Sequence, residues 1–102
     1  MNAVAPKSEV LELEGALSFE SLPGVLAESE KYAARQDLPD KLTIDFAKVT
    51  TVDSSAVALL LEWRRQALAR AKTLEFVNLP SNLMALARLY GVAELIDPAA
   101  AP

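Results

Sequence analysis

Apolar and polar positions along the chain follow two rhythms in turn, a period of two and a helical spacing. Glu9-Val10-Leu11-Glu12-Leu13-Glu14 alternates, with Val10 partly out of step, and predicts a strand ending at Gly15. Ala16-Leu17-Ser18-Phe19 predicts a second, short strand. Leu22, Val25, Leu26, Ala33 and Ala34 then recur among Glu28, Glu30 and Lys31, which predicts an amphipathic helix from Leu22 to Arg35. Gln36 to Asp40 is a linker, because Pro39 forbids helix continuation. Leu42-Thr43-Ile44-Asp45-Phe46 is β-rich and predicts a central strand, and Val49 to Val52 a short β-branched one.

The strongest helix signal follows. Asp53, or Ser54 one residue later, offers a side-chain oxygen as N-cap. A helix is expected over about 54–71, with Leu60, Leu61, Arg64, Leu68 and Ala71 on one stripe. Arg70 and Lys72 stand at its C-terminal end, where the macrodipole favours cations. Thr73 to Asn78 alternates as a strand. After Pro80, Ser81 or Asn82 is expected to cap a helix carrying Leu83, Leu86, Ala87 and Tyr90, and Gly91 to end it as a C′ glycine. Leu95-Ile96 is expected to add a last edge pairing. Strands alternating with helices imply parallel neighbours and a sheet covered by helices. The striping of both later helices, and the strand they flank, places them on the same face of that sheet.

With 102 residues the chain fits one domain, and 52% apolar against 24% charged residues is a globular composition. The segments 1–8 and 98–102 read as flexible tails around a 9–97 domain. The longest apolar run, Ala56 to Leu61, is too short to span a bilayer, and the first residues lack a signal core. A cytoplasmic protein is therefore expected. The net charge of −4 argues against nucleic acid as a partner. Histidine and cysteine are both absent. That removes disulfides, thiolate chemistry, the commonest zinc ligands and the most frequent general base. No metal, cofactor or catalytic residue is expected.

The residues that remain of interest cluster at one junction. Asp53-Ser54-Ser55 lies between a strand and a helix. Its plain reading is a helix cap; its functional reading is a hydroxyl displayed where free N–H groups and a positive dipole end meet an acceptor. Asp45 and Asp53 are candidates for a carboxylate pair, though a cap and a turn account for them more simply. Trp63 lies off the apolar stripe, as core-edge packing or as an interface anchor. Arg64, Arg65, Arg70 and Lys72 form a solvated face or a patch toward acidic groups. Tyr90 stands at a helix end, in core or rim. No Gly-rich loop with a Lys and no Gly-x-Ser-x-Gly elbow is present.

In order and spacing, these motifs resemble the STAS domain family (sulfate transporter and anti-sigma factor antagonist). Val52-Asp53-Ser54-Ser55 with Ala56 to Leu61 resembles its signature loop and helix. Leu42 to Phe46 is similar to its central strand, and Leu13-Glu14-Gly15-Ala16-Leu17 to the turn after its first strand. Leu74 to Asn78 and Leu86 to Val92 resemble its last strand and helix. Leu59-Leu60-Leu61 and Leu86 to Tyr90 look most like the MlaB branch.

The resemblance implies an α/β fold, a small mixed sheet with helices packed mainly on one face, and no catalytic activity. It implies an accessory subunit that binds an MlaF-like ABC transporter ATPase in phospholipid transport, peripheral to the inner membrane through its complex. The expected contact residues are Asp53, Ser54, Ser55, Trp63 and Tyr90; of these the resemblance itself picks out Ser54, at the hydroxyl position of the MlaB branch. The alternative it implies is an anti-sigma factor antagonist, phosphorylated at Ser55 by its anti-sigma factor kinase partner. Ala56 stands where that class has a glycine, which stiffens the loop.

Overall fold

The computed structural model describes residues 8–97. Most of the N-terminal tail and all of the C-terminal one expected above lie outside the described residues. Three strands and four helices follow one another as β1 (Ser8–Leu17), α1 (Leu22–Ala33), β2 (Lys41–Val52), α2 (Ser54–Ala69), β3 (Thr73–Val77), α3 (Ser81–Leu89) and α4 (Ala93–Ile96). The strands form one sheet in the order β1-β2-β3, with β2 central. Both pairings are parallel, with Leu11 opposite Ile44 and Ile44 opposite Phe76. Parallel neighbours are what the alternation predicts. No antiparallel strand is among the described residues.

Alternation along each strand separates the two faces. Leu11, Leu13, Leu42, Ile44, Phe46, Leu74 and Phe76 share one face, and all but Leu11 belong to the core or pack against it. Phe46 and Phe76 meet edge to face there, with ring centroids 5.7 Å apart. The opposite face carries the exposed ion pairs Lys48–Glu12 and Lys41–Glu75. Each of the four helices contributes to the single core on the apolar face, through Leu22, Val25 and Leu26 of α1, Leu60 of α2, Leu83 of α3 and Ile96 of α4.

Several expected boundaries move. β1 does not end at Gly15 but runs on to Leu17, so the two predicted strands are one. Gly15 adopts φ +82, and the register shifts between Gly15 and Ala16. Such a bulge bends a strand without ending it, and glycine takes the left-handed backbone at no Cβ cost. The 42–46 and 49–52 runs likewise join as β2. α1 stops at Ala33, before Arg35.

The apolar stripe of α2 is not the one predicted. Ala56, Leu59, Leu60 and Trp63 face the core, at i, i+3, i+4 and i+7, whereas Leu68 is 63% exposed. The helix also ends at Ala69 rather than Ala71. Lys72 N–H donates to Ala67 O at 2.8 Å and Ala71 N–H to Leu68 O at 3.1 Å, with Ala71 at φ +55. This is a Schellman ending with alanine in the place glycine usually takes. At the end of α3 the same bonds run from Val92 to Ala87 and from Gly91 to Arg88, with Gly91 at φ +72, as the sequence predicts. Neither Ser81 nor Asn82 caps α3; Pro80 precedes it in extended conformation, and its carbonyl accepts from Met84 N–H at 3.1 Å. Leu95-Ile96 adds no strand. It lies in the short α4, which buries Ile96 in the core.

Candidate functional site

The β2–α2 junction brings together Asp53, Ser54 and Ser55 of the polar residues singled out above. β2 ends at Val52, and Asp53 turns the chain in extended conformation (φ −135, ψ −171) before α2 begins at Ser54. The Asp53 carboxylate is the N-cap. Its Oδ1 accepts from the Ser55 N–H at 2.9 Å, and the Ser55 hydroxyl donates to the same oxygen. Its Oδ2 reaches across to the β1–α1 loop and accepts from the Phe19 N–H at 2.9 Å. The main chain adds a second tie, from Asp53 N–H to Leu17 O at 3.3 Å. The Ser55 hydroxyl and the two N–H donors hold the Asp53 carboxyl below the usual carboxylate range.

The two serines therefore differ. Ser54 is exposed on the first turn of α2. Ser55 is half-buried and its hydroxyl is engaged by Asp53. The β1–α1 loop is fixed as well. The Ser21 hydroxyl donates to Ala16 O at 2.7 Å and accepts from Ser18 N–H at 2.9 Å. On that fixed loop Phe19 stands 78% exposed, its backbone bonded to Asp53. Sequence reading missed Phe19, placing it at the end of a strand. The signal was an aromatic residue between a strand and the Ser21-Leu22-Pro23 helix start, where a loop is expected to be polar.

Asp45 and Asp53 do not act as a pair. Asp45 Oδ1 accepts from Asn78 Nδ2 and from Ala47 N–H, each at 2.9 Å, and these bonds lower its pKa. Trp63 belongs to the core at 9% exposure, not to an open surface. Its indole Nε1 is the one buried side-chain nitrogen or oxygen without a partner among the described residues. Tyr90 is 53% exposed as the C-cap of α3, beside the 75% exposed Leu89. Among the basic residues, Arg65 pairs with Glu62 and Lys72 with Asp40. No group of three or more Asp or Glu among the described residues is arranged to hold a metal ion.

A parallel sheet with helices on one face, and a serine-bearing loop opening the second helix, define a small α/β module of the STAS class. The chain belongs to the STAS-domain family: residues 2–97 match the family model described as "Mlab, STAS domain". Solved structures share the fold. The sulfate transporter family protein from Wolinella succinogenes aligns at a TM-score of 0.72 with 17% identity, over 95% of this chain and 77% of that one. The anti-sigma factor antagonist SpoIIAA in its unphosphorylated form aligns at 0.68 with 21% identity, over 93% and 82%. The SulP transporter STAS domain from Vibrio cholerae aligns at 0.71 with 15% identity, over 95% and 73%. No curated protein sequence matches the chain significantly.

Proposed function

We propose that this chain is a non-enzymatic accessory subunit that docks on the ATPase of an Mla-type ABC phospholipid transporter and stabilises its active form. The observation that carries the reading is the exposed Ser54 at the N-terminal turn of α2, in a chain matched over residues 2–97 by the MlaB family model. Asp53 already takes the Ser55 N–H on its side chain and the Ala56 N–H on its carbonyl, so the group this helix start offers a partner is the exposed Ser54 side chain. Asp53 engages the Ser55 N–H and Phe19 N–H, fixing the loop before the partner arrives. A surface ordered in advance loses little conformational entropy on binding. Ser54 is the centre of the contact, and Asp53 and Ser55 hold its geometry; Tyr90, at the C-terminal end of α3, stands at the opposite end of the parallel helices from Ser54 and is not part of this surface. Trp63 supports it from within the core. The protein works on the cytoplasmic side, peripheral to the inner membrane through its complex.

The second reading is an anti-sigma factor antagonist switched by phosphorylation of Ser55. The shared fold with SpoIIAA favours it. Against it stand Ala56 in the glycine position and the bond that engages the Ser55 hydroxyl. A pull-down from the native cytoplasm, with the partner identified by mass, separates the two. A transporter ATPase supports the first reading; a kinase-like anti-sigma factor in its place overturns it.

A further inference from the structure

The stretch from Ala27 to Leu38 runs between Leu26, which packs against the core, and the buried Pro39, yet none of its own residues is buried. It comprises the C-terminal half of α1 and the linker that follows. Beneath it the packing is incomplete. A cavity of about 100 Å³ lies there, lined by Ser29, Tyr32 and Ala33 of α1 and by Leu42 and Ile44 of the sheet. An unfilled space gives its walls no dispersion contacts, so burial does little to hold this half of the helix down. The N-terminal half differs. Leu22, Val25 and Leu26 pack against the core, and the Ser21 hydroxyl fixes the loop before them.

Polar ties hold the other half instead. Glu9 stands at the start of β1, opposite Leu42. The Tyr32 hydroxyl donates to its carboxylate, and Arg35 Nη1 and Nη2 donate to its two oxygens at 3.0 Å each. The same guanidinium lies 4.9 Å over the Tyr32 ring and meets both Asp37 oxygens at 3.0 Å. Arg70 Nη1 adds a bond to Ala33 O at 3.2 Å. The Arg35 and Tyr32 bonds lower the Glu9 pKa, while burial and Glu9 push the Tyr32 phenol up to about 12. Near neutrality the carboxylate is therefore charged and the phenol is a donor. A bidentate pair of this kind sets geometry well. With a third or more of each side chain exposed, it is screened by water and holds less firmly than a packed core does.

We infer that residues 27–38 form a flap that lifts from the sheet while the core stays folded, and that Glu9, gripped by Tyr32 and Arg35, is the latch that holds it shut. The opening does not depend on the partner proposed at Ser54.

Amide hydrogen exchange of the full chain, read residue by residue in low concentrations of urea, tests this. In wild type the amides of Tyr32, Ala33 and Ala34 are expected to exchange about a hundredfold faster than those of Leu60 and Trp63, and with a smaller response to urea, because the opening exposes little surface. Glu9→Gln, a change on β1 rather than on the helix, is expected to speed exchange at those three amides about tenfold, and Tyr32→Phe about threefold. If Glu9→Gln does not fold, Tyr32→Phe, which removes one hydroxyl, decides. Exchange at Tyr32, Ala33 and Ala34 with the rate and urea response of Leu60 would overturn the flap. Rates there that ignore both substitutions would overturn the latch, leaving a helix end that frays without regard to Glu9.

Discussion

Asp53 and Phe19 stand 34 positions apart, yet the Asp53 carboxylate accepts the Phe19 backbone N–H at 2.9 Å. One side chain thus caps α2 and fastens the loop between β1 and α1. The exposed Ser54 hydroxyl and the exposed Phe19 ring are consequently held in one frame.

That arrangement sets a pH dependence. The Ser55 hydroxyl, the Phe19 N–H and the Ser55 N–H lower the Asp53 pKa in the folded state. A carboxylate depressed on folding stabilises above its unfolded pKa, and that contribution is lost as pH falls through the folded value. The loss therefore lies below about pH 4, the ordinary range of an aspartate. Asp53→Asn retains a capping oxygen but cannot titrate. Thermal melts at pH 7 and pH 3 are expected to show a smaller drop for Asp53→Asn than for wild type, and Asp53→Ala is expected to be less stable than wild type at pH 7. Equal drops for wild type and Asp53→Asn would remove Asp53 from the acid response.

The two Schellman endings give a pair of opposite effects. Ala71 holds φ +55 with a Cβ, and Gly91 holds φ +72 without one. A left-handed L-residue costs roughly 1–2 kcal/mol, partly offset by the roughly 0.5–1 kcal/mol of extra chain entropy that glycine loses. Ala71→Gly is expected to stabilise the domain by about 0.5–1 kcal/mol and Gly91→Ala to destabilise it by a similar amount. Nothing lies within 4 Å of a Cβ built on Gly91, so the loss there is conformational rather than steric. For a domain of this size each kcal/mol moves the melting temperature by about 4–8 °C, so the two variants should melt on opposite sides of wild type.

The same pair shows what a sequence makes legible. Gly91 announces its helix end because glycine is the residue that the αL position favours. Ala71 gives no such sign, so the helix was expected to run on to it. The strand and helix order and a cap at Asp53 or Ser54 were readable, since each rests on local propensity and spacing; the weight on Ser54 came from the family resemblance. The orientation of α2 was not. Leu60 and Leu61 of the expected stripe do reach or pack against the core, but Leu68 is exposed, and packing on the sheet adds Ala56, Leu59 and Trp63. The part of Phe19 was also hidden, because its tie to Asp53 is a tertiary contact that no local pattern encodes.

Packing at that selected face can be tested through Leu60, which has no exposed surface. Leu60→Ala deletes buried methyl groups and leaves a cavity, at a cost of about 2–5 kcal/mol. Leu68→Ala, at the exposed end of the predicted stripe, is expected to change stability by less than about 0.5 kcal/mol, as exposed positions do. Urea melts of both variants check this. Comparable losses would mean that Leu68 is packed as Leu60 is.

Phosphate on Ser55 would set a doubly charged group against the Asp53 carboxylate and remove the bond that its hydroxyl makes there. Intact mass of the protein from its native cytoplasm is expected to show the unmodified chain as the main species. One phosphate per chain, mapped to Ser55, would favour the anti-sigma reading.

The central claim is that Ser54, at the first turn of α2, lies at the centre of the ATPase contact. Titration calorimetry against the purified ATPase, with a thermal melt of each free variant, tests it most directly. Ser54→Ala removes one hydrogen bond, worth about 0.5–1.5 kcal/mol, and should weaken binding about threefold to tenfold. Ser54→Arg must displace the partner or bury an unpaired charge, which costs several kcal/mol, so binding should fall below detection while the free domain melts as wild type does. Wild-type affinity in a folded Ser54→Arg variant would contradict the account, and a variant that fails to bind only because it has melted would reduce Ser54 to a structural part of the helix start.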